Sequence, residues 1–360
     1  MTSPLLDQPG AVAAPPESID AAVPWHHGDP LAEQRYGTRG AIVVDRSNRD
    51  VLVVPGEDRL GWLNSLTTQL LTELADGSAT QSLVLDVHGR VQHHVEVSEV
   101  DGQVWLDTEP GQGEELLSYL QKMQFWSKVE PAAAPDTAVL TVLGPSSADV
   151  LAAAELPSPG SGQVLRAGDV LVRHLPLRQV PAVDLLVPRD RLVGLWTALT
   201  GAGARPAGTL AFEALRAESL RPRLGVDTDA NTIPHEVGWI GPAVRLNKGC
   251  YRGQETVSKV ANVGRPPRRL LLLHLDGSVG ALPETGDDVE LDGRPVGRVG
   301  TVAQHHELGP IALALVKRSV PVGSALTAAG VAAAIDPDSV PPDTGEPPGR
   351  AAIRALRAMP

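Results

Sequence analysis

Cysteine is almost absent from this chain: there is one, Cys250, in 360 residues. A single thiol excludes an intramolecular disulfide. It also excludes an all-protein thiolate cage for zinc or an iron–sulfur cluster, which takes several Cys or His ligands. A reduced, cytoplasmic setting fits that scarcity. Aromatic residues are few, at 3%, so the core must come from Val, Leu and Ala. Long apolar runs are missing. No stretch approaches the roughly 18 residues of a membrane span. The opening "MTSPLLDQPGAVAAPPESIDAAVP" has neither the basic start nor the apolar run of a signal peptide. Net positive charge is missing as well: the formal charge is −12, which argues against broad nucleic-acid binding.

What is present is ordinary hydrophobic content, 42%, with abundant Gly (36) and Pro (32). The length suits two or three domains of about 100–200 residues each. Residues 1–24 lack periodicity and are expected to be disordered. "AIVVDRSNRDVLVVPGED" (41–58) reads as two short strands around a turn at Ser47-Asn48-Arg49-Asp50. Leu60, Leu63, Leu66, Leu70 and Leu74 recur at helical spacing. Residues 81–108 alternate as strands, and "GEELLSYLQKMQFW" is again helical. The pattern then starts over: a strand over "DTAVLTVLGP", a helix with Ser146 or Ser147 as its N-cap, two more strands, and two helices. These imply two successive α+β halves, about 25–135 and 136–266. After Pro266-Pro267 the chain is β-rich, with Asp292-Gly293 as a hairpin signal. Residues 267–340 are expected to form a small β-barrel, and 341–360 a Pro-rich linker with a short helical tail.

Charge is unevenly spread. Between Arg245 and Arg269 stand Arg245, Lys248, Arg252, Lys259, Arg265, Arg268 and Arg269, against one acid, Glu255. This basic stretch brackets Cys250. In "NKGCYRGQETVSK", Gly249 and Gly253 flank Cys-Tyr-Arg, and glycine permits left-handed backbone and close approach of a ligand. "WIGPAVRLN" before it looks extended, and "QETVSKV" after it suits a helix or a strand. Cations at Lys248 and Arg252 would favour the thiolate of Cys250. Gln254 and Glu255 could accept hydrogen bonds, and Tyr251 offers a ring. A packed, inert cysteine is the bland alternative.

"KGCYRGQETV" resembles the K-G-C-[FY]-x-G-Q-E signature of the YgfZ-type folate-binding proteins, relatives of the glycine cleavage T-protein, an aminomethyltransferase. The resemblance covers about residues 25–335 and includes "GEDRLGWLNSLTTQ" and "AFEALRAESLRPRLGVDTDANTIPHEVGW". It implies an α+β fold of two interlocked α/β sub-domains of the aminomethyltransferase folate-binding type, followed by the C-terminal barrel. It implies tetrahydrofolate or a derivative as ligand, iron–sulfur client enzymes or cluster-assembly proteins as partners, and Cys250 as the functional thiol. Lys248, Tyr251, Arg252, Gln254, Glu255, Arg216 and Trp239 are the candidates for holding the folate.

Two departures set the chain apart from true aminomethyltransferases. Where they resemble G-G-x-x-D-D, this chain has "GRVQHHVEV", so His93 and His94 replace the acids. An imidazole lacks a carboxylate's charge and paired acceptors. Their G-E-D-G-F-E stretch is reduced to "RQVPAVD" (178–184). Glycine cleavage is therefore not expected, although folate binding could survive. At Arg252 the signature itself gains a charge. The pairs His26-His27, His93-His94 and His305-His306 are not expected to chelate a metal, because neighbours in a strand face opposite ways. Two alternatives remain: a folate-dependent one-carbon transferase and a non-catalytic interaction scaffold.

Overall fold

The computed structural model describes residues 2–342. Its elements carry out the division of labour that composition suggests: Val- and Leu-rich strands form two open sheets and a closed barrel, beside a small two-stranded pair, and short helices cover them. The helices are α1 (Pro30–Gly37), α2 (Arg59–Leu66), α3 (Gly113–Lys122), α4 (Ser147–Ala153), α5 (Leu192–Gly201), α6 (Thr209–Glu218) and α7 (Gln254–Asn262). A small N-terminal pair consists of β1 (Val12–Ala13) and β2 (Pro24–His26). Next come β3 (Ile42–Asp45), β4 (Asp50–Pro55), β5 (Ser78–Leu85), β6 (Val91–Val100), β7 (Gln103–Thr108) and β8 (Ala132–Ala133). The second half supplies β9 (Thr137–Leu143), β10 (Val164–Ala167), β11 (Val170–His174), β12 (Ala182–Pro188) and β13 (Arg205–Ala207).

One sheet runs β5-β6-β7-β4-β8, the other β10-β11-β12-β9-β3-β13. The turn at Ser47–Asp50 therefore does not make a hairpin. It carries the chain from β3 in one sheet to β4 in the other, which interlocks the halves. The closed barrel is β14 (Arg268–Leu275), β17 (Gly309–Lys317), β16 (Arg294–His305), β15 (Asp288–Leu291), β18 (Leu326–Ala328) and β19 (Val331–Ile335), in that order around the ring. Closure leaves no open strand edge. Asp292 and Gly293, both at positive φ, turn β15 into β16.

Several expectations need correction. The segment 1–24 is not disordered from residue 2 onward. A 3-10 turn at Pro4–Asp7 places Leu5, fully buried, in the second sheet's core, and Val23 is fully buried too. Ser3 donates its hydroxyl hydrogen bond to Asp45. These contacts offset the ordering entropy that composition alone would leave unmatched. Helix α2 stops at Leu66 rather than reaching Leu74, because Thr67 turns extended and its hydroxyl donates back to the Leu63 carbonyl at 2.8 Å. Ser146 stands at the N-cap of α4 without a side-chain capping bond. The stretch "WIGPAVRLN" is a tight turn bridged between Ile240 and Val244, not a strand. The segment after Gly253 becomes α7. Most of the Pro-rich tail, from 343 on, lies outside the described residues.

Candidate functional site

The Cys250 loop is held at both sides and open in the middle. Lys248 is half-buried, and its ammonium donates to three backbone carbonyls, Asn64, Thr67 and Gln69, at 2.6, 2.7 and 2.8 Å. These cap the end of α2, where helix carbonyls lack partners. Burial pushes the Lys248 ammonium down to about 8. Its Nζ also lies 5.2 Å from the centre of the Tyr251 ring. Tyr251 is buried in the apolar cluster that joins Trp239, α7's Val257 and the barrel's Leu270 and Leu272. Its hydroxyl has no partner, and burial raises it to about 12. Gly253 adopts φ +81°, and a Cβ there would sit 2.5 Å from the Asp86 carbonyl oxygen, so only glycine fits. Gly249 meets nothing within 4 Å, so crowding does not require it. Between these anchors Cys250 is exposed.

The predicted ligand groups around it do not converge. Arg252 points outward and hydrogen-bonds the phenol of Tyr119 on α3. Gln254 donates to the Lys248 carbonyl at 3.4 Å, and Glu255 is exposed on the first turn of α7. The basic stretch disperses too: Arg268 pairs with Asp229 and Glu236, and Arg269 donates to the Val320 carbonyl. Sequence reasoning counted the charges but could not see that distant carboxylates and carbonyls take them up.

A cavity lies between the two sheets and α6, lined by Asp20, Arg46, Asn48, Arg49, His94, Glu96, Glu109, Arg216, Arg221 and Arg223 among others. Its volume is about 30 Å³, room for about one water molecule. Ion pairs fill the rest. Arg49 bonds Asp107 and Glu109, both at 2.7 Å. Arg173 joins Asp107 to Asp184, which also accepts from Arg46 at 3.0 Å. Arg223 donates to Glu109 at 2.7 Å and, through both Nη atoms, to Asp20 at 2.7 and 2.8 Å. Burial alone would raise the carboxyls of Asp107 and Glu109; the facing guanidiniums outweigh it and hold both well below the usual range. Arg216, the one signature-associated residue that lines this cavity, is bound to Glu213 at 2.6 Å and Asp227 at 2.8 Å, and reaches Thr301 of the barrel.

Trp239 stands one ring away from the cavity. It stacks on His94, centroids 4.9 Å apart and planes within 12°. His94 bonds Gln81 at 3.0 Å, and burial pushes it down to about 4, so it is neutral near pH 7. A second hollow of about 220 Å³ opens beyond Glu96, lined by Gln81, Glu96, Arg173, His174, Pro176 and Pro242 among others. Glu96 lines both hollows and is bound by Arg221, which lines the first. No motif in the sequence points to Asp20, Arg49, Glu96, Glu109, Arg173, Arg221 or Arg223 as cavity residues. The basic cluster "RPR" at 221–223 is the nearest local signal.

Comparison with known proteins gives the architecture its relatives. Residues 268–342 match the CAF17 C-terminal β-barrel domain. The chain is 27% identical to the aminomethyltransferase of Thermotoga maritima over 82% of its own length and 84% of that protein's. It is 31% identical to the aminomethyltransferase of Streptomyces coelicolor, over 50% of this chain and 51% of that one. A chloroplastic Arabidopsis thaliana protein named as a transferase is 25% identical over 72% of this chain; the match spans 61% of the plant protein. The solved aminomethyltransferase T of the Bartonella henselae glycine cleavage system shares the fold, with TM-score 0.82 and 18% identity over 93% of this chain and 96% of that one. Among the described residues no helix is long and apolar enough to cross a membrane.

Proposed function

We propose that this chain, a relative of the aminomethyltransferases with a CAF17-type barrel, is a cytoplasmic folate-binding accessory protein. Its role is to support the assembly or repair of iron–sulfur clusters in client enzymes, with Cys250 as the working thiol. One observation carries the reading: the chain's one thiol is exposed, on a loop clamped by Lys248 and Tyr251. A structural cysteine would be packed away. Exposure lets the sulfur meet a partner, as nucleophile, redox thiol or transient cluster ligand.

The cavity residues do not fit tetrahydrofolate as they stand. A pocket for a ligand of that size needs several hundred Å³, against about 30 Å³ here. The arginines that would suit an acidic tail are already ion-paired. Asp20 holds Arg223 and Glu96 holds Arg221, so neither guanidinium is free for a ligand carboxylate as the structure stands. The closed cavity favours the scaffold alternative to the same degree. The one-carbon transferase fares worse, because His94 is a neutral imidazole where the related enzymes have acids.

Calorimetric titration with tetrahydrofolate decides the ligand: no heat and no thermal shift leaves the scaffold. Cells lacking the gene decide the role. Cluster-dependent enzymes should lose activity, wild type should restore it, and Cys250→Ser should not. Full restoration by the serine variant removes the thiol from the mechanism.

A further inference from the structure

A groove of about 750 Å³ opens on the barrel. It shares no lining residue with the two hollows between the sheets. Its volume lies within the roughly 300–1,000 Å³ of small-molecule sites. Its charges are all of one sign: Arg265, Arg269 and Arg318 line it, and no acid does. Much of the remaining lining is apolar, with Pro337, Val340 and Pro341.

The walls are anchored in the barrel. Arg269 stands in β14 opposite Val316 of β17, and Arg318 follows the last residue of β17. The Arg318 amide donates to the Pro267 carbonyl at 2.8 Å, and one Nη of Arg269 donates to the Val320 carbonyl at 2.9 Å. Val320 is buried in the barrel core, and Val340 packs against that core. The Ser339 hydroxyl donates to the Asp336 carbonyl at 2.6 Å, and the Val340 amide to the Pro337 carbonyl at 3.2 Å. A ligand entering here need not order loose loops, which lowers the entropy cost of binding.

What the arginines lack is a counter-ion. The Nε of Arg269 is buried without a partner, and an unsatisfied charged donor is costly. Among the described residues the Arg318 side chain makes no hydrogen bond or ion pair. Burial, and then the like charge of Arg318, lowers the Arg269 guanidinium from its ordinary value. The neighbouring Arg268 shows the contrast, since two carboxylates, Asp229 and Glu236, hold it. Two guanidiniums kept together without an acid weaken the fold and attract an anion.

We propose that this groove binds a small molecule that carries a phosphate group on an apolar body. Arg269 and Arg318 clasp the phosphate, and Pro337, Val340 and Pro341 cover the body. A planar guanidinium presents paired donors that match phosphate oxygens. A phosphate dianion also answers two cations more fully than one carboxylate does. The chain's net charge of −12 disfavours a nucleic-acid strand as the carrier of the phosphate. The site is separate from the folate and thiol roles proposed above.

The test is calorimetric titration of the full chain with phenyl phosphate, inorganic phosphate and benzoate. Phenyl phosphate should bind more tightly than either of the others, and added salt should weaken it. Arg318→Gln removes a repelling charge, so it should keep or raise the thermal midpoint. It should bind phenyl phosphate at least about tenfold more weakly, the loss expected of a charge-assisted bond. Arg269→Lys keeps the charge without the fork and should fall between. Arg294→Gln, at an exposed arginine that begins β16, should match wild type. Absence of binding overturns the site, and so does an equal loss in Arg294→Gln, which would reveal only general charge attraction. Benzoate binding as tightly as phenyl phosphate refutes the phosphate. Displacement of phenyl phosphate by a single-stranded oligonucleotide at lower concentration than by inorganic phosphate reassigns the groove to nucleic acid. A tetrahydrofolate response lost in Arg318→Gln reassigns it to folate carboxylates. Binding that emerges only in Asp343→Asn/Glu346→Gln shows that the chain's own acids hold the arginines. Each of these three results overturns the proposal.

Discussion

Replacing Asp20 with alanine should weaken the fold and strengthen folate binding at once. Asp20 comes from the N-terminal arm that Leu5 and Val23 anchor. Its carboxylate takes both Nη atoms of Arg223 and a bond from Asn48 at 2.8 Å. Burial would raise this carboxyl, but the Arg223 bonds and charge hold it below its ordinary value. The stability it supplies is thus present above about pH 4 and is lost as pH falls through the lower folded value. Breaking a buried pair typically costs about 3–5 kcal/mol. Arg223 keeps Glu109 at 2.7 Å and Glu213 at 3.6 Å, so its charge stays compensated and the cost should be about 2–3 kcal/mol.

The same change frees two guanidinium donors at the edge of the cavity. A charge-assisted bond to a ligand carboxylate is worth about 1.5–3 kcal/mol, which is about tenfold or more in affinity. Urea unfolding should show the loss, and calorimetry with tetrahydrofolate the gain. A variant that loses stability and loses folate affinity in parallel refutes the idea that Asp20 stands where a ligand carboxylate would bind.

Lys248→Met should cost about 2–4 kcal/mol, because three carbonyls lose their common donor; it should leave the salt dependence of folate binding unchanged, and a flattened salt dependence would show that the ammonium reads the ligand instead. Between pH 6.5 and about 4 the unfolded chain binds protons that buried His94 refuses, so stability falls as pH falls through that window. With the folded value at about 4, the loss from His94 is at most about 3 kcal/mol. His94→Gln should remove that share from the pH profile of unfolding, leaving the similar share from His235, which burial also pushes down to about 4. Gly253→Ala should destabilise by about 1–3 kcal/mol through its left-handed backbone and the nearby Asp86 carbonyl, while Gly249→Ala should be within about 0.5 kcal/mol of wild type; equal effects in a thermal melt would contradict the geometry.

Local patterns in the sequence carried most of the elements and the barrel. They failed where long-range pairing decides. Strand β3 alternates no differently from β4, yet the two enter different sheets, since a turn's sequence does not say which edge each strand will meet. Residues 1–24 read as disordered because they lack periodicity; what orders them is a core built from distant segments, from Ala41 and Val43 to Trp196 and Leu199. Tyr251 within the signature and Trp239 nearest to it are stacking candidates by position alone; the structure sets both rings in the apolar seam between the barrel and the first sheet. The ionic network was illegible for the same reason. Asp20, Arg49, Glu109 and Arg223 are unremarkable singly, and only the fold brings four distant segments within 2.8 Å.

The flanks of Cys250 are poor choices for stability alone. Lys248 buries an ammonium, and Tyr251 buries a hydroxyl that bonds nothing. An unsatisfied buried hydroxyl costs about 1–3 kcal/mol. Phenylalanine would fill the same space and keep the cation–π contact with Lys248. Tyr251→Phe should therefore raise stability by about 1 kcal/mol in urea unfolding. If the hydroxyl gains a partner only when ligand or client is bound, the same variant should lose cluster-enzyme restoration despite its firmer fold. That divergence would make Tyr251 a positioning residue for the thiol. A variant that is stabilised and fully active would mean that the ring alone matters, and that the loop's function resides in Cys250 and the surface around it.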